Sequence, residues 1–209
     1  MIGKLAVVVL FVIGFGIGVV LYLINISIYM LSKAVELFLY ILIASIGIVV
    51  AYEAKSIKEV MAGIDLSVRL VIATILGSIL GGILTALILH SDVIVYLAIA
   101  LGMGWYTFTG SYLATIDSYL GLLGFTANMF REIATILLYP ILSKKYPIEA
   151  ISIGGATTMD TTLPIIARFT NTSVTIIAFI HGLILTLLIP IIIPAIMATN
   201  PKTFIPSNR

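Results

Sequence analysis

Cysteine is absent from this chain of 209 residues, and charged side chains are few. Without thiols the protein cannot form disulfides, thiolate zinc sites or cysteine-ligated iron–sulfur clusters. Asp, Glu, Lys and Arg together make up 10% of the residues, against about 25% in an ordinary soluble domain. The formal net charge of +2 is too small to indicate a nucleic-acid partner.

Common enzyme signatures are missing as well. The sequence contains no His-Glu-x-x-His, no Gly-x-Ser-x-Gly and no Gly-x-x-x-x-Gly-Lys phosphate loop. We therefore predict that the chain is not an enzyme and that it uses neither a metal nor a cofactor. The enzymatic alternative is an intramembrane aspartyl protease built on Asp117 and Asp160, but the Gly-x-Gly-Asp context of such enzymes is absent.

Apolar residues dominate what remains. They make up 61% of the chain, and the mean hydropathy is +1.25. A soluble protein of this size could not hide so much apolar surface, because a domain of about 150 residues leaves roughly 30% of its surface in water. We therefore expect one integral domain, residues 1–209, that crosses the cell (plasma, or inner) membrane several times. The first apolar run, Leu5–Ile24, is longer than a signal-peptide core and is predicted to be a retained span.

Length and interruption of the apolar runs predict an all-α membrane protein. A crossing needs about 20 apolar residues, and the stretches that meet this requirement are Leu5–Ile24, Val35–Tyr52, Val68–Leu89, Phe125–Leu142 and Val174–Met197. Two further apolar segments, Val93–Gly124 and Ile148–Phe169, are interrupted by residues rich in glycine and threonine. The fold class is therefore about five full transmembrane helices plus two broken or re-entrant helical hairpins of opposite orientation.

The basic residues set the expected orientation, because Lys and Arg accumulate in cytoplasmic loops. Placing Lys4, the Glu53–Arg69 connector and the Lys144-Lys145 turn inside puts the N-terminus in the cytoplasm and the C-terminus outside. The two broken segments then enter from opposite faces, and their tips meet near the middle of the membrane. The alternative is that each broken segment is a discontinuous full crossing, which preserves the same parity.

The first candidate site lies on the span Phe125–Leu142. Asn128, Arg131 and Glu132 fall on one face of this helix, with Thr135 one turn further on. Charged residues at the centre of a lone helix cost about 2.5–3.5 kcal/mol each on insertion scales, so this face is expected to contact protein and a substrate. The alternative is that both charges extend to the outer interface.

The second candidate site is the interruption of Ile148–Phe169. Gly154 and Gly155 allow a close approach of the backbone, and Asp160 adds a carboxylate. Hydroxyl groups surround that carboxylate, from Thr157, Thr158 and Thr161. Unpaired backbone groups at membrane depth must lie in protein or line a polar cavity. The alternative is a surface loop, although both flanks of the interruption are apolar.

The interruption of Val93–Gly124 is the third candidate site. Trp105, Tyr106 and Thr107 are flanked by glycines there, and the aromatic rings are suited to an aliphatic or ammonium group. The alternative is an interfacial aromatic belt. His181, in the last span, is interpreted as a packing residue.

The stretches 102–106, 127–132 and 154–164 read GMGWY, ANMFRE and GGATTMDTTLP. With them the chain resembles, over essentially its whole length, the lysine exporter LysO family of bacteria and archaea. The resemblance implies export of L-lysine and of analogues such as thialysine by proton antiport. It also implies that the functional intramembrane acids are Glu132 and Asp160.

Family members are about half again as long, with additional spans before the region that begins near Met1. We therefore expect either a small membrane partner that supplies the missing helices or a homo-oligomer. The other expected partners are a small cationic amino acid, the proton and the lipid bilayer.

In the expected mechanism, Glu132 and Asp160 bind the ammonium groups of lysine. Backbone N–H groups at the two interruptions bind its carboxylate, with Arg131 as a further donor. A proton that neutralises either acid weakens lysine binding, which couples the two movements. Two alternatives stay open: a Na⁺-coupled carrier for another amino acid or a carboxylate, and a membrane assembly subunit that transports nothing.

Overall fold

A computed structural model describes residues 2–24, 41, 44–45, 48 and 57–199 of the chain. The predicted span Val35–Tyr52 lies almost wholly outside these residues, and its prediction stays open. The chain divides into two compact units, Met1–Glu53 and Ala54–Arg209. In the first unit, helix α1 (Ile2–Leu23) contains nearly all of the first predicted span.

Three long helices dominate the second unit. They are α2 (Ile57–Ile88), α5 (Ser118–Leu142) and α8 (Thr172–Ala198). In the part of the chain that the structure describes, these three helices are long and apolar enough to cross a membrane. Two of the three later predicted spans each fall within one of these helices, and the third, Val68–Leu89, runs one residue past the end of α2. A membrane protein is confirmed to that extent.

Helix α5 begins at Ser118, seven residues before the predicted start at Phe125. The cause is a side-chain cap: the Asp117 carboxylate accepts hydrogen bonds from the N–H groups of Tyr119 (2.8 Å) and Leu120 (3.1 Å). Such a cap satisfies donors that a helix start leaves unpaired. The predicted extent of the first broken segment, to Gly124, was therefore wrong at its C-terminal end.

Short helices make up both broken segments. The first contains α3 (Val93–Ala100) and α4 (Tyr106–Ala114). The second contains α6 (Ile151–Gly154), a 3₁₀ turn (Gly155–Met159) and α7 (Leu163–Phe169). At 1.5 Å per residue none of these helices exceeds about 14 Å, less than half of a bilayer core of about 30 Å. The predicted interruptions are therefore present.

Glycines let these short helices pack closely on the long ones. A Cβ atom at Gly82 would lie 3.1 Å from the Tyr96 carbonyl oxygen, so α3 lies directly against α2. Gly121 faces Ala114 in the same way, where α4 packs against α5. Each contact needs a residue without a side chain, because backbone and Cβ atoms occupy the space that a Cβ would fill.

The tips of the two broken segments meet. The Ala156 N–H donates to the Met103 carbonyl oxygen at 2.8 Å. Helix α8 supports this junction, since Leu185, Ile189 and Ile193 are fully buried in the same apolar cluster as Met103. By contrast, α2 exposes a row of leucine and isoleucine side chains, as expected for a surface that contacts lipid.

Candidate functional site

A small cavity of about 150 Å³ lies where the two broken segments meet. Its walls come from the start of α4, from the 3₁₀ turn and the residues after it, and from α8. The lining residues are Gly104, Trp105, Tyr106, Thr107, Ala156, Thr157, Met159, Asp160, Thr161 and Thr186. We call this cavity, together with the adjoining Glu132, the acidic pocket.

Glu132 reaches the acidic pocket from α5. Its side chain hydrogen-bonds with those of Tyr106 and Thr161, and it interacts electrostatically with Asp160. The residue lies ten positions before the end of α5, or about 15 Å along the helix. The structure therefore places the two predicted acids together, well away from either end of α5.

Asp160 owes its position to the end of the 3₁₀ turn. It follows Met159, and its carboxylate accepts from the Thr161 N–H at 2.5 Å and from the Thr161 hydroxyl at 3.4 Å. Both bonds go to the next residue, so they hold the carboxylate in place without pairing it to a cation. In the described residues two carboxylates thus share one pocket without a basic partner there.

Aromatic rings form one wall of the pocket. The Trp105 and Phe108 centroids lie 5.1 Å apart, and Tyr106 meets Phe125 edge to face at 5.2 Å. Tyr106 also contacts Glu132, which fixes it beside the acids and not in an interfacial belt. Thr107 lines the same cavity but is largely exposed.

Gly154 and Gly155 form the junction and do not line the pocket. Gly155 has a φ of +62°, and a Cβ there would collide with the Met103 carbonyl oxygen. Gly104 has a φ of +93° and packs against the Gly154 carbonyl oxygen, which a Cβ would approach to 2.6 Å. Positive φ and close contact both require glycine at these positions.

The predicted threonines divide into two groups. Thr157 and Thr161 line the pocket, and Thr161 contacts both acids. Thr158 is fully buried and does not line the pocket. Its hydroxyl donates to the Ala178 carbonyl oxygen at 2.8 Å and lies 3.1 Å from His181 Nδ1. Thr158 therefore joins the second broken segment to α8.

His181 is buried in a hydrogen-bonded chain that the sequence did not reveal. Its Nε2 atom lies 3.0 Å from the Thr74 hydroxyl and its Nδ1 atom faces Thr158. The imidazole thus links α2, α8 and the 3₁₀ turn, which fits the packing role expected for it. A pairing of this kind, with a sequence separation of 107 residues, leaves no local signal.

Asn128 supports the first broken segment instead of facing the acidic pocket. Its side-chain oxygen accepts from the Gly104 N–H at 2.8 Å, and its amide donates to the Ile99 (2.9 Å) and Gly124 (3.0 Å) carbonyl oxygens. The amide side chain is therefore fully occupied. It replaces backbone bonds lost where α3 ends.

Arg131 faces a different cavity from Glu132. Its guanidinium donates to the carbonyl oxygens of Ile153 and Ser152 and to the Ser78 hydroxyl, at 2.8 to 3.1 Å. That cavity, of about 620 Å³, lies among α2, α3 and α5 and contains none of the residues that line the acidic pocket. Since consecutive residues on a helix point about 100° apart, Arg131 and Glu132 extend from one turn of α5 to two different cavities.

Three other polar residues lie outside both cavities. Asp117 caps the exposed start of α5, Arg168 is exposed in the last turn of α7, and His90 is exposed after α2. The described residues contain no group of three or more His, Cys, Asp or Glu side chains that could hold a metal ion.

Comparisons with known proteins identify the family. A profile described as lysine exporter LysO matches residues 8–197. The chain is 31% identical over 163 residues to the lysine exporter LysO of Escherichia coli, covering 78% of this chain and 54% of that protein. It is 34% identical over 159 residues to a putative lysine exporter of Haemophilus influenzae, covering 74% of this chain and 81% of that protein.

The chain thus spans about half the length of the Escherichia coli relative. No solved structure matches it significantly. Since the profile covers nearly the whole sequence and both relatives exceed 30% identity, the chain belongs to the lysine exporter LysO family.

Proposed function

We propose that this protein exports L-lysine, and analogues such as thialysine, in exchange for protons. The observation that carries the proposal is the shared position of Glu132 and Asp160 in one pocket at the broken tips, with no basic residue among its described lining. Two adjacent carboxylates at membrane depth are costly unless they bind something positive. Protons and ammonium groups both meet that requirement.

The pocket suits the ammonium end of lysine. Its volume of about 150 Å³ equals roughly five water molecules at ~30 Å³ each. The carboxylates supply charge, Thr161 supplies a hydroxyl, and the Trp105 ring supplies an apolar face. A ring face near an ammonium group contributes about 0.5–2 kcal/mol. Thialysine carries the same terminal ammonium group and would bind in the same way.

Coupling follows from competition for the same two acids. A carboxylate removed from bulk water binds a proton more readily than it does in water. When a proton occupies Glu132 or Asp160, the ammonium group loses part of its attraction and leaves. When lysine enters, it displaces the proton. The two acids cannot bind protons and the lysine ammonium group at full strength at the same time. Movement of lysine across the membrane in one direction therefore requires movement of protons in the other.

The proposed membrane arrangement has five full spans and two re-entrant hairpins that enter from opposite faces, with the N-terminus in the cytoplasm. Short helices that pack back on α2 and α5 support this arrangement, as does the junction between their tips. Trypsin cleavage at Lys144-Lys145 in sealed inside-out vesicles, but not in right-side-out ones, tests the predicted orientation.

Counterflow of radiolabelled lysine in proteoliposomes tests the function. We expect lysine-loaded vesicles to accumulate label and to do so without sodium, whether the chain acts alone or needs a small membrane partner. Glu132→Gln should abolish the uptake, whereas Thr126→Ala, which removes only a hydrogen bond within α5 and lines neither cavity, should not. Uptake that persists in a Glu132→Gln, Asp160→Asn double variant would refute the mechanism, and strict dependence on sodium would refute proton coupling.

A further inference from the structure

The larger cavity, which we call the Arg131 cavity, is lined mostly by small and apolar residues. Its volume is about 620 Å³, four times that of the acidic pocket. Its polar lining residues are Thr74, Ser78, Thr85, Tyr96, Asn128, Arg131 and Ser152. Of these, Arg131 carries the charge, so the two cavities have opposite electrostatic character.

Arg131 retains N–H groups that form no hydrogen bond with the part of the protein that the structure describes. A guanidinium carries five N–H groups, and three hydrogen bonds are formed: Nε to the Ile153 carbonyl oxygen, Nη1 to Ser78 and Nη2 to the Ser152 carbonyl oxygen. The two terminal nitrogens therefore each retain one further N–H group. Guanidinium N–H groups form strong, charge-assisted hydrogen bonds with carboxylates.

The acceptors that Arg131 already has are all neutral. Among the described residues, the ion pair observed is Arg69 with Asp65 at 2.8 Å, and no carboxylate pairs with Arg131. Glu132, its neighbour in sequence, interacts with Tyr106 and Thr161 on the other side of the junction. A buried cation without a counter-charge is costly, and an anion that entered the cavity would offset that cost.

Two of the other polar groups in the wall are already hydrogen-bonded. Both Asn128 amide N–H groups donate to backbone carbonyl oxygens, and the Thr74 hydroxyl donates to the Leu70 carbonyl oxygen at 2.8 Å. Since most of the remaining wall is small or apolar, the free N–H groups of Arg131 are its main polar feature for an entering ligand. This favours a ligand with a carboxylate and a small aliphatic part over a ligand that carries only positive charge.

We propose that the Arg131 cavity binds a carboxylate group, and that during transport this group is the carboxylate of the exported amino acid. The second clause rests on the proposed function, but the first does not. This cavity shares no lining residue with the acidic pocket among the described residues. The protein would then recognise the α-carboxylate and the side-chain ammonium group of its substrate in separate cavities.

Propionate and cadaverine separate the two sites experimentally. Propionate has a carboxylate and no amine, whereas cadaverine has the two amines of lysine and no carboxylate. Saturation-transfer NMR on the purified chain in detergent detects weak binding of each. Propionate binding should fall about tenfold to a hundredfold in Arg131→Gln, as expected for loss of a hydrogen-bonded charge pair, while cadaverine binding stays unchanged. Glu132→Gln should show the reverse pattern.

Arg131→Gln also loses three structural hydrogen bonds, so its loss of binding could be caused by misfolding. A second variant tests the cavity while keeping those bonds. Gly77 lines the cavity, and a Cβ atom there would meet nothing within 4 Å. Gly77→Ala should therefore fold normally and leave propionate binding nearly unchanged, whereas the larger side chain of Gly77→Leu should occupy part of the cavity and reduce propionate binding. Both proteins are first compared by size-exclusion chromatography and thermal unfolding.

The outcomes distinguish this inference from the proposed function. If propionate fails to bind the wild-type chain, or binds Gly77→Leu as well as the wild type, the carboxylate site does not exist. If propionate binds in an Arg131-dependent way while lysine counterflow fails, the site stands and the proposed export of lysine is wrong.

Discussion

The two broken segments differ in how their polar groups are used. In the first, the Gly104 N–H binds Asn128 and the Thr109 hydroxyl binds the Trp105 carbonyl oxygen, so polar groups at its tip are paired within the protein. In the second, the Asp160 carboxylate accepts from Thr161 and interacts electrostatically with Glu132, without a basic partner in the described lining. One segment serves as a support, and the other presents charge to a ligand.

This difference predicts different consequences of substitution. Variants at the junction, or at the Asn128 side chain that supports the first segment, should lower the stability of the fold, because they introduce a clash or remove buried hydrogen bonds. A variant at Asp160 should leave stability almost intact and remove transport. Thermal unfolding in detergent, read beside lysine counterflow, separates these effects.

The largest loss of stability is expected for Gly155→Ala. The new Cβ would collide with the Met103 carbonyl oxygen at a φ of +62°. With a ψ of −127° this φ lies in a region that residues with a side chain rarely adopt, at a cost of about 1–3 kcal/mol, and overpacking adds about 1–3 kcal/mol. We expect a loss of about 3 kcal/mol or more. Gly77→Ala is the matched control, since space is open there; equal unfolding temperatures for the two variants would disprove the close junction.

A smaller loss is expected for Asn128→Ala. Three backbone groups lose a hydrogen bond: the Gly104 N–H and the carbonyl oxygens of Ile99 and Gly124. An unsatisfied buried group costs about 1–3 kcal/mol. We expect a total of about 2 kcal/mol, because the Ile99 carbonyl still accepts from the Gly102 N–H and the Gly124 carbonyl lies within α5. Thr126→Ala, which removes only a bond to its own helix, should be close to neutral. A neutral Asn128→Ala would mean that the first segment does not depend on this support.

The smallest effect on stability is expected for Asp160→Asn. The amide oxygen of asparagine can still accept from the Thr161 N–H, and one of two neighbouring negative charges is removed. The unfolding free energy should change by less than about 0.5 kcal/mol, while lysine counterflow is lost. If stability falls as far as in Asn128→Ala, Asp160 is a structural residue and the contrast between the two segments fails.

Sequence reasoning located the breaks and the acids, because both have local signals. Glycine and threonine interrupt long apolar runs, and Glu132 is an isolated acid in an apolar helix. The composition therefore indicated the three long helices of the second unit and the short ones between them. Polar residues within an apolar run are informative in a membrane protein, because an unpaired polar group inside the bilayer has no water to bind.

The division of α5 between two cavities could not be predicted in the same way. Asn128, Arg131 and Glu132 form one polar stripe by spacing, and they were expected to face one shared chamber. Arg131 and Glu132 point about 100° apart on the helix, and the cavities at which they lie share no described lining residue. Contacts between segments about 50 residues apart depend on tertiary packing, which periodicity does not report. The partners of His181 were missed for the same reason.

Competition between lysine and protons at Glu132 and Asp160 is the central claim, and calorimetry tests it directly. Lysine is titrated into the purified chain at mildly acid and neutral pH in two buffers of different ionisation enthalpy, so that the difference in heat counts the protons released. We predict that lysine binding releases protons from the wild-type chain and releases none from the Glu132→Gln, Asp160→Asn double variant. Lysine binding without proton release, or with the same release in the double variant, would contradict the account.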